Sequence, residues 1–175
     1  MPGDAFAAVC ERIGGFVVEG PETRRCVVYA TPDSLLEIVG RAREMLGAAP
    51  RGKPHMLEVR MPVIGDTELV VIEAVPGGGY RLYAKVFTDY TVHGELKPVR
   101  PLEKTFTIDG VRVAAKAYAD TNPAIEGYYG VAEAWAESSS LEKLTSVLGE
   151  LLYKLKNMAE EALEKQVERA QPIPA

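Results

Sequence analysis

The clearest pattern in this sequence is a stripe of apolar residues near its end. The stripe repeats at intervals of three and four residues, at Leu141, Leu144, Leu148, Leu151, Leu155, Met158 and Ala162. This spacing places the side chains on one face of an α-helix. We therefore predict one long amphipathic helix over residues 141–169, with Ser140 as its N-cap.

The stripe allows two interpretations. Its heptad spacing fits a coiled-coil seam, which would join two copies of the chain. However, Leu152 and Ala159 on one flank and Val147 on the other broaden the apolar face, and a broad face favours packing on a sheet. The heptad register also fails at Lys165. We predict that the helix covers a sheet, and we keep a homodimer through this helix as the alternative.

The middle of the chain has the alternating pattern of β-strands. Strands are predicted over residues 56–64, 68–75, 80–88, 105–108, 111–118 and 128–136. Tight turns join them at Gly65-Asp66, at residues 76–79 and at Asp109-Gly110. Residues 89–104 contain Pro98 and Pro101 and are predicted as a loop or frayed edge. Residues 120–126 are predicted as a further loop.

The first third of the chain adds one strand and up to two helices. Residues 24–30 read as a strand, and Thr31-Pro32 begins a helix over residues 32–46 that Gly47 ends. A short helix over residues 4–13 and an apolar segment at 16–18 precede them. We predict a single α+β domain over residues 22–169, with an N-terminal extension (1–21) and a tail (170–175). Its core is a curved antiparallel sheet of about seven strands packed on the C-terminal helix.

This order of a strand, a capped helix, hairpin-joined strands and a long C-terminal helix resembles the START-like, helix-grip superfamily of ligand-binding proteins. The resemblance covers roughly residues 22–169 and concerns architecture. Two features depart from it: residues 48–54 would have to hold the usual second short helix, and about twenty extra residues precede the first strand. The resemblance implies a curved sheet wrapped around the helix, with a mainly apolar cavity between them for a lipid or similar small molecule.

Composition excludes several classes of function. The net charge is −5, and no basic run exceeds Arg24-Arg25, so we expect no nucleic-acid partner. No stretch reaches the roughly 18 apolar residues of a membrane span. The start lacks a basic leader and a long apolar core, so we expect a cytoplasmic protein. Glu is abundant while Asn and Gln are scarce, a balance typical of thermophilic proteins.

The two cysteines, Cys10 and Cys26, also have two interpretations. Cytosolic thiols normally stay reduced, which favours two buried apolar side chains, whereas some hyperthermophile proteins form intracellular disulfides. The cysteines do not combine with His55 and His93 at zinc-ligand spacing. We therefore predict no metal site and no cofactor, and the sequence carries no HExxH, GxSxG or CxxC motif.

Carboxylates on otherwise apolar strand faces are the candidate site residues, because a buried charge is costly unless it is paired or functional. Glu73 shares a strand face with Leu69 and Val71, and Glu133 shares one with Tyr129 and Trp135. Both could instead face solvent. Arg81, Lys85, Arg112 and Lys116 could pair with these carboxylates or form an outer face, and we favour the outer face. The full set of predicted ligand-binding residues is Glu73, Tyr83, Tyr129, Glu133, Trp135, Leu148 and Leu152.

Three functional hypotheses follow from these residues. The first is a small binding protein that holds an apolar small molecule or lipid between the sheet and the C-terminal helix. The second is a cyclase or dehydratase on the same scaffold, with Glu73, Glu133 and His93 as proton-transfer groups. The third is an interaction module that uses the C-terminal helix and has no cavity. Our prediction favours a binder over an enzyme.

Overall fold

A computed structural model describes residues 4–48, 50–63, 66–122 and 125–169, without the side chains of residues 63, 66, 122 and 125. The helices in these ranges are α1 (Ala5–Arg12), α2 (Pro32–Gly40), α3 (Ala42–Leu46), α4 (Leu141–Ser146) and α5 (Leu148–Gln166). The strands are β1 (Phe16–Glu19), β2 (Arg24–Tyr29), β3 (His55–Val63), β4 (Asp66–Ala74), β5 (Tyr80–Phe87), β6 (Gly94–Leu96), β7 (Leu102–Ile108), β8 (Val111–Asn122), β9 (Ile125–Ser138) and β10 (Val167–Arg169).

The α+β class and the large, mostly antiparallel sheet are confirmed. Among the described residues, eight strands form the sheet in the order β1-β2-β3-β4-β5-β9-β8-β7, where about seven were predicted. The pair β2–β3 is parallel, and the other neighbours within this sheet are antiparallel. Strands β1 and β7 are its two edges, so the sheet is not closed. Strands β6 and β10 form a separate two-stranded sheet.

Element boundaries differ from the predictions at several points. The predicted helix over 141–169 divides at Val147 into α4 and α5, and residues 167–169 form strand β10. The predicted helix over 32–46 divides at Arg41. The predicted loop at 89–104 contains β6 and the start of β7, and the hairpin strands β8 and β9 extend into the predicted loop at 120–126.

Two of the predicted turns lie within the described residues in full. Asp109 and Gly110 both have positive φ, at 47° and 81°, as a type I′ turn requires. Positive φ also recurs through the predicted turn at 76–79, at each of its three glycines. Gly65 of the third predicted turn lies outside the described residues.

Helix α5 packs on one side of the sheet, which we call the covered face. The whole predicted stripe is buried there, from Leu141 to Ala162, with Leu144, Leu148, Leu151 and Leu155 fully enclosed. The prediction that the terminal helix covers a sheet is therefore confirmed. Below the helix, strands β8 and β9 present small side chains: Ala115, Ala117, Ala132, Ala134 and Ala136. Small side chains let the helix approach the sheet closely.

The closest approach is at Gly130 of β9. A Cβ atom at this position would lie 2.1 Å from the carbonyl oxygen of Ala159 and 2.8 Å from Thr88 Cγ2. Real Cβ atoms do not come this close to backbone atoms. The backbones of α5 and β9 are therefore in direct contact at this point.

The N-terminal residues belong to the same core. Phe6, Val9 and Cys10 of α1 are buried in the main apolar cluster, and β1 pairs with β2. Cys10 and Cys26 form a disulfide bond, so the favoured prediction of two free thiols was wrong. The pairing brings a residue of α1 onto the covered face of β2, which sequence spacing does not reveal.

Arg24 anchors the start of α1 from outside the core. Its guanidinium binds the carboxylates of Asp4 and Glu19 and lies over the Phe6 ring, 4.9 Å from the ring centroid. Asp4 accepts hydrogen bonds from Arg24 and, to a lesser extent, from the Ala7 amide, and these lower its pKa to about 2. Asp4 also caps α1 by accepting a hydrogen bond from the Ala7 amide.

Lys156 of α5 fixes the helix to the end of β5. Its Nζ donates to the carbonyl oxygen of Phe87, lies 3.2 Å from Glu68 Oε2 and donates to Asp89 at 3.2 Å. Glu68 is buried and also accepts a hydrogen bond from the Phe87 amide at 2.9 Å. The lysine thus neutralises a buried carboxylate on the covered face.

Replacing Lys156 with methionine is therefore expected to lower the free energy of unfolding by about 2 kcal/mol. Removing one partner of a fully buried pair costs about 3–5 kcal/mol, and the value is reduced here because a third of the lysine side chain is exposed. Urea denaturation measures the change. The double variant Glu68→Gln/Lys156→Met should recover part of the loss, since it removes the unpaired charge. Equal stability of the wild type and the single variant would contradict this role.

Candidate functional site

We call the side of the sheet that faces away from α5 the open face. It carries most of the predicted ligand-binding residues. Cross-strand pairing arranges most of its side chains in three parallel rows, and a buried cluster of Phe87, Val131 and Tyr129, with Tyr118 packed against it, lies beyond the last of them. The middle row is Phe16, Val27, Glu58, Val71, Tyr83, Trp135, Ala114 and Thr105. The first charged row is Val18, Arg25, Met56, Glu73, Arg81 and Glu137, and Arg112 continues it in the register of β8. The second charged row is Tyr29, Arg60, Leu69, Lys85, Glu133, Lys116 and Glu103.

Three aromatic rings on the open face are half exposed. The exposed fractions are 50% for Phe16, 57% for Tyr29 and 46% for Trp135. Phe16 and Tyr29 stack with their ring centroids 6.4 Å apart, and Trp135 lies 5.6 Å from the Tyr83 ring. The rings thus form two separate clusters on one exposed surface, one on β1 and β2 and one on β5 and β9. Exposed apolar clusters are typical of interaction sites.

Glu133 holds the centre of the second charged row. Tyr83 and Tyr118 each donate a hydroxyl hydrogen bond of 2.7 Å to its carboxylate, one to each oxygen. Lys85 and Lys116 are its neighbours on the adjacent strands. Burial, and then the hydrogen bond to Glu133, raise the pKa of Tyr118 well above its usual range. Tyr118 therefore stays protonated and keeps donating to the carboxylate.

Three further carboxylates of the open face, Glu58, Glu73 and Glu137, form ion pairs. Glu58 is buried between two arginines, with Arg25 Nη1 at 3.4 Å and Arg60 Nε at 2.7 Å. The hydrogen bond from Arg60 raises the pKa of that guanidinium. Arg81 reaches Glu73 at 3.7 Å and Glu137 at 3.2 Å. These carboxylates are thus held by cations within the same face.

The structure places the predicted ligand-binding residues on two opposite sides of the sheet. Glu73, Tyr83, Tyr129, Glu133 and Trp135 belong to the open face, where Tyr129 is buried against Phe87 with ring centroids 5.3 Å apart. Leu148 is fully buried under α5 on the covered face, and Leu152 packs at the margin of that core. The sheet separates the two groups, so they do not line one cavity.

The three candidate proton-transfer residues are not brought together either. Glu133 lies two strands away from Glu73 and is offset from it by about four residues along the strands. The spacing of strands and residues therefore puts their Cα atoms roughly 16 Å apart. His93 is exposed in the segment before β6. A general acid and base acting on one atom must both lie within hydrogen-bond reach of it. These residues do not form such a pair.

A shallow hollow of about 480 Å³ lies beside Trp135. Ala114 leaves space next to the indole because it is the smallest side chain of the middle row. The hollow is lined by Glu103, Lys104, Thr105, Ala114, Ala115, Lys116 and Trp135. An exposed ring surface and several hydrogen-bonding groups therefore meet at one place.

Several residues of the open face were assigned no role by the sequence. Arg25, Glu58 and Arg60 form its ion-pair cluster, yet they read only as the polar side of predicted strands. Glu58 and Arg60 alternate with apolar residues, which is typical of a strand with one polar face. Arg81, Lys85, Arg112 and Lys116 lie on the predicted outer face, and Glu58 and Arg60 belong to the same surface on a neighbouring strand.

The described ranges contain no candidate metal-ligand cluster and no candidate membrane-spanning helix. No group of three or more His, Cys, Asp or Glu side chains there could hold a metal ion. Among the described helices, none is long and apolar enough to span a membrane. Comparisons with protein families, with curated proteins and with solved structures found no match to this chain.

Proposed function

We propose that this protein is a non-catalytic interaction module that binds a protein partner through the open face of its sheet. One observation supports this most directly: three half-exposed aromatic rings lie on the face that α5 leaves uncovered. Protein interfaces are enriched in aromatic residues, Met and Arg. The open face has all of these, with Met56, Arg25, Arg60 and Arg81 beside the rings.

The arrangement of the face also matches the anatomy of an interface. The middle row carries Phe16, Val71, Tyr83 and Trp135, and a row richer in charge lies on each side of it. Typical interfaces have an apolar centre that is shielded from water by a polar rim. Trp135 is the expected centre of binding, because tryptophan dominates many interfaces energetically.

Site-specific photo-crosslinking tests this proposal. One variant carries a photo-crosslinking amino acid at Thr105, an exposed position at the end of the middle row. The control carries it at Tyr153, which is 70% exposed on α5. Irradiation in an extract of the source cells should join the first variant, and not the control, to one defined polypeptide. That polypeptide, once purified, should bind the wild type at least about tenfold more tightly than it binds Trp135→Arg.

Two results would overturn the proposal. One is equal crosslinking from position 105 and position 153, which would indicate non-specific contact. The other is a purified partner whose affinity for the protein does not change with Trp135→Arg. Thermal unfolding of the variant has to match the wild type, and we expect this because Trp135 is half exposed.

A second candidate is the binding of a small molecule in the hollow beside Trp135. The observation that favours it is Ala114, which opens space next to an exposed indole. The volume falls within the roughly 300–1,000 Å³ usual for ligand sites. This version keeps the binder hypothesis and moves its site from the covered face to the open face. Ala114→Leu should fill the hollow and abolish ligand-induced changes in Trp135 fluorescence, while crosslinking from position 105 persists.

Kinship with the START-like superfamily also stays a proposal. The order of elements supports it, from β2 through the paired strands to the C-terminal helix on the sheet. A carrier of that kind would need space under α5. The polar residues predicted to face that space lie on the open face instead, so the interaction module is the proposal with more support.

A further inference from the structure

The open face is nearly neutral although the chain is acidic. Its three rows hold the cations Arg25, Arg60, Arg81, Lys85, Arg112 and Lys116 and the carboxylates Glu58, Glu73, Glu103, Glu133 and Glu137. The net charge of the whole chain is −5. A strongly acidic or strongly basic partner would leave half of these charges facing a like charge. A partner with the same mixture of signs avoids that cost.

The order of the charges makes the face complementary to itself. A two-fold axis that lies between β5 and β9 and runs parallel to the strands would place the open faces of two copies against each other. Each row then faces the same row of the partner, and β5 lies opposite β9, β4 opposite β8 and β3 opposite β7. An isologous interface of this kind needs only one self-complementary patch.

Opposite charges meet in both charged rows under this operation. In the first row, Arg81 faces the partner's Glu137, and Glu73 faces the partner's Arg112. In the second row, Lys85 faces the partner's Glu133, and Arg60 faces the partner's Glu103. Each pairing occurs twice because the axis is two-fold.

The middle row completes the contact at the axis. Tyr83 faces the partner's Trp135, and Val71 faces the partner's Ala114, where the shallow hollow lies. The half-exposed indole would thus pack on an aromatic ring, a contact worth about 0.5–1.5 kcal/mol beyond its buried area. The two-fold axis between β5 and β9 therefore forms both the apolar centre and the charged rim of the contact.

A two-fold axis between β9 and β8 also pairs opposite charges, but it brings only β5, β9, β8 and β7 of each copy into contact and places Trp135 opposite the partner's Ala114 rather than an aromatic ring. Three further axes bring like charges together. An axis on β5 itself places Glu73 opposite the partner's Glu137. An axis between β4 and β5 places Arg25 opposite the partner's Arg112. An axis across the strands places Arg81 opposite the partner's Lys85.

The area is sufficient for a dimer of moderate strength. Six strands at about 4.8 Å spacing and three rows at about 6.7 Å spacing cover roughly 600 Å² of each copy. The total of roughly 1,200 Å² is the lower limit of standard-size interfaces. We therefore expect a dissociation constant in the micromolar range.

We infer that the partner of the open face is a second copy of this chain, bound face to face around the two-fold axis between β5 and β9. The contact spans β3, β4, β5, β9, β8 and β7, so it includes Trp135 and leaves Phe16 on β1 and Tyr29 on β2 outside it. This inference rests on the proposed function, since it names the partner of that surface. It differs from a dimer through the C-terminal helix, because the apolar stripe of that helix is already buried within the chain.

Charge reversal tests the inference, with two readouts. Analytical ultracentrifugation gives the mass across a range of concentrations. Fluorescence of Trp135, the single tryptophan, reports its environment at the axis. The wild type should reach twice the chain mass of 19.0 kDa, with the emission shifting to shorter wavelength over the same concentration range. Arg112→Glu should raise the dissociation constant at least about tenfold, because it faces the partner's Glu73.

The double variant Glu73→Arg/Arg112→Glu should return the dissociation constant towards the wild-type value. Glu103→Arg, which faces the partner's Arg60, is a second single variant if the first does not fold. Lys154→Glu is the matched control for Arg112→Glu, since it makes the same charge change at an exposed position of α5. It should leave the dissociation constant unchanged.

A wild type that stays monomeric at all concentrations would overturn the dimer. So would a dimer that is equally sensitive to Arg112→Glu and Lys154→Glu. If the wild type is monomeric while position 105 still crosslinks to a different protein, the dimer fails and the proposed interaction module stands. If neither assembly forms, both proposals fail.

Discussion

Replacing Gly130 with alanine should lower the free energy of unfolding by about 3 kcal/mol. The added methyl group would meet the Ala159 carbonyl oxygen at 2.1 Å and the Ala159 carbonyl carbon at 2.8 Å. Backbone atoms cannot rotate away as a side chain can, so α5 would have to move off the sheet. Overpacking of this kind costs about 1–3 kcal/mol and occasionally more, and the rigid contact places Gly130 at the upper end.

Gly149→Ala is the matched control for this prediction. Gly149 is exposed in α5, and a Cβ there would meet nothing closer than Leu36 Cδ1 at 3.9 Å. The same chemical change should therefore stabilise the protein by about 1 kcal/mol, because alanine favours the helix. Urea denaturation of the two variants gives both numbers. A loss below about 1 kcal/mol for Gly130→Ala would show that α5 is not held against β9 as described.

The long-range architecture was largely predictable because its signals are local. The stripe from Leu141 to Ala162 marks a helix with one apolar side, and the turns at 76–79 and 109–110 mark hairpins. Together they predict a meander under a helix; in the structure β5 and β7–β9 lie under α5, while β3 and β4 are covered by α2 and α3. The strand number and the breaks at Arg41 and Val147 escaped prediction, since a one-residue break leaves the apolar period intact.

Which face of each strand is covered could not be read from the sequence. Strand β9 alternates Ala132, Ala134 and Ala136 with the bulkier Val131, Glu133 and Trp135. Sequence reasoning tends to assign the larger apolar residues to the core. Here the alanines face the helix, because its close approach at Gly130 leaves room only for small side chains. Trp135 and Glu133 are consequently on the open face.

The candidate site was predicted only in part for the same reason. Glu73, Tyr83, Glu133 and Trp135 do share one surface, and their alternation along strands was the signal that grouped them. Their rows depend on the register between strands that are distant in sequence, such as β5 with β9. No single-sequence pattern gives that register, so the self-complementary order of charges appears only in the folded chain.

The second large effect concerns the disulfide between Cys10 and Cys26. The double variant Cys10→Ala/Cys26→Ala should lose about 3 kcal/mol of unfolding free energy. The bond closes a loop with a sequence separation of 16 residues, and loops of about this length are worth about 3 kcal/mol in the chain-entropy model. Both cysteines are fully buried, and Gly15 packs directly against their sulfur atoms, so small cavities add to the loss.

Urea denaturation with and without reductant separates the bond from the packing. The wild type should lose stability in reductant, because the reductant cleaves the bond in the unfolded chain. The double variant should be insensitive to reductant. Phe6 and Val9 also hold α1 in the core, so hydrogen exchange should show α1 still protected in the double variant under native conditions. Loss of that protection, with an unchanged global transition, would mean that the disulfide alone docks α1 and that the rest of the sheet folds independently of it.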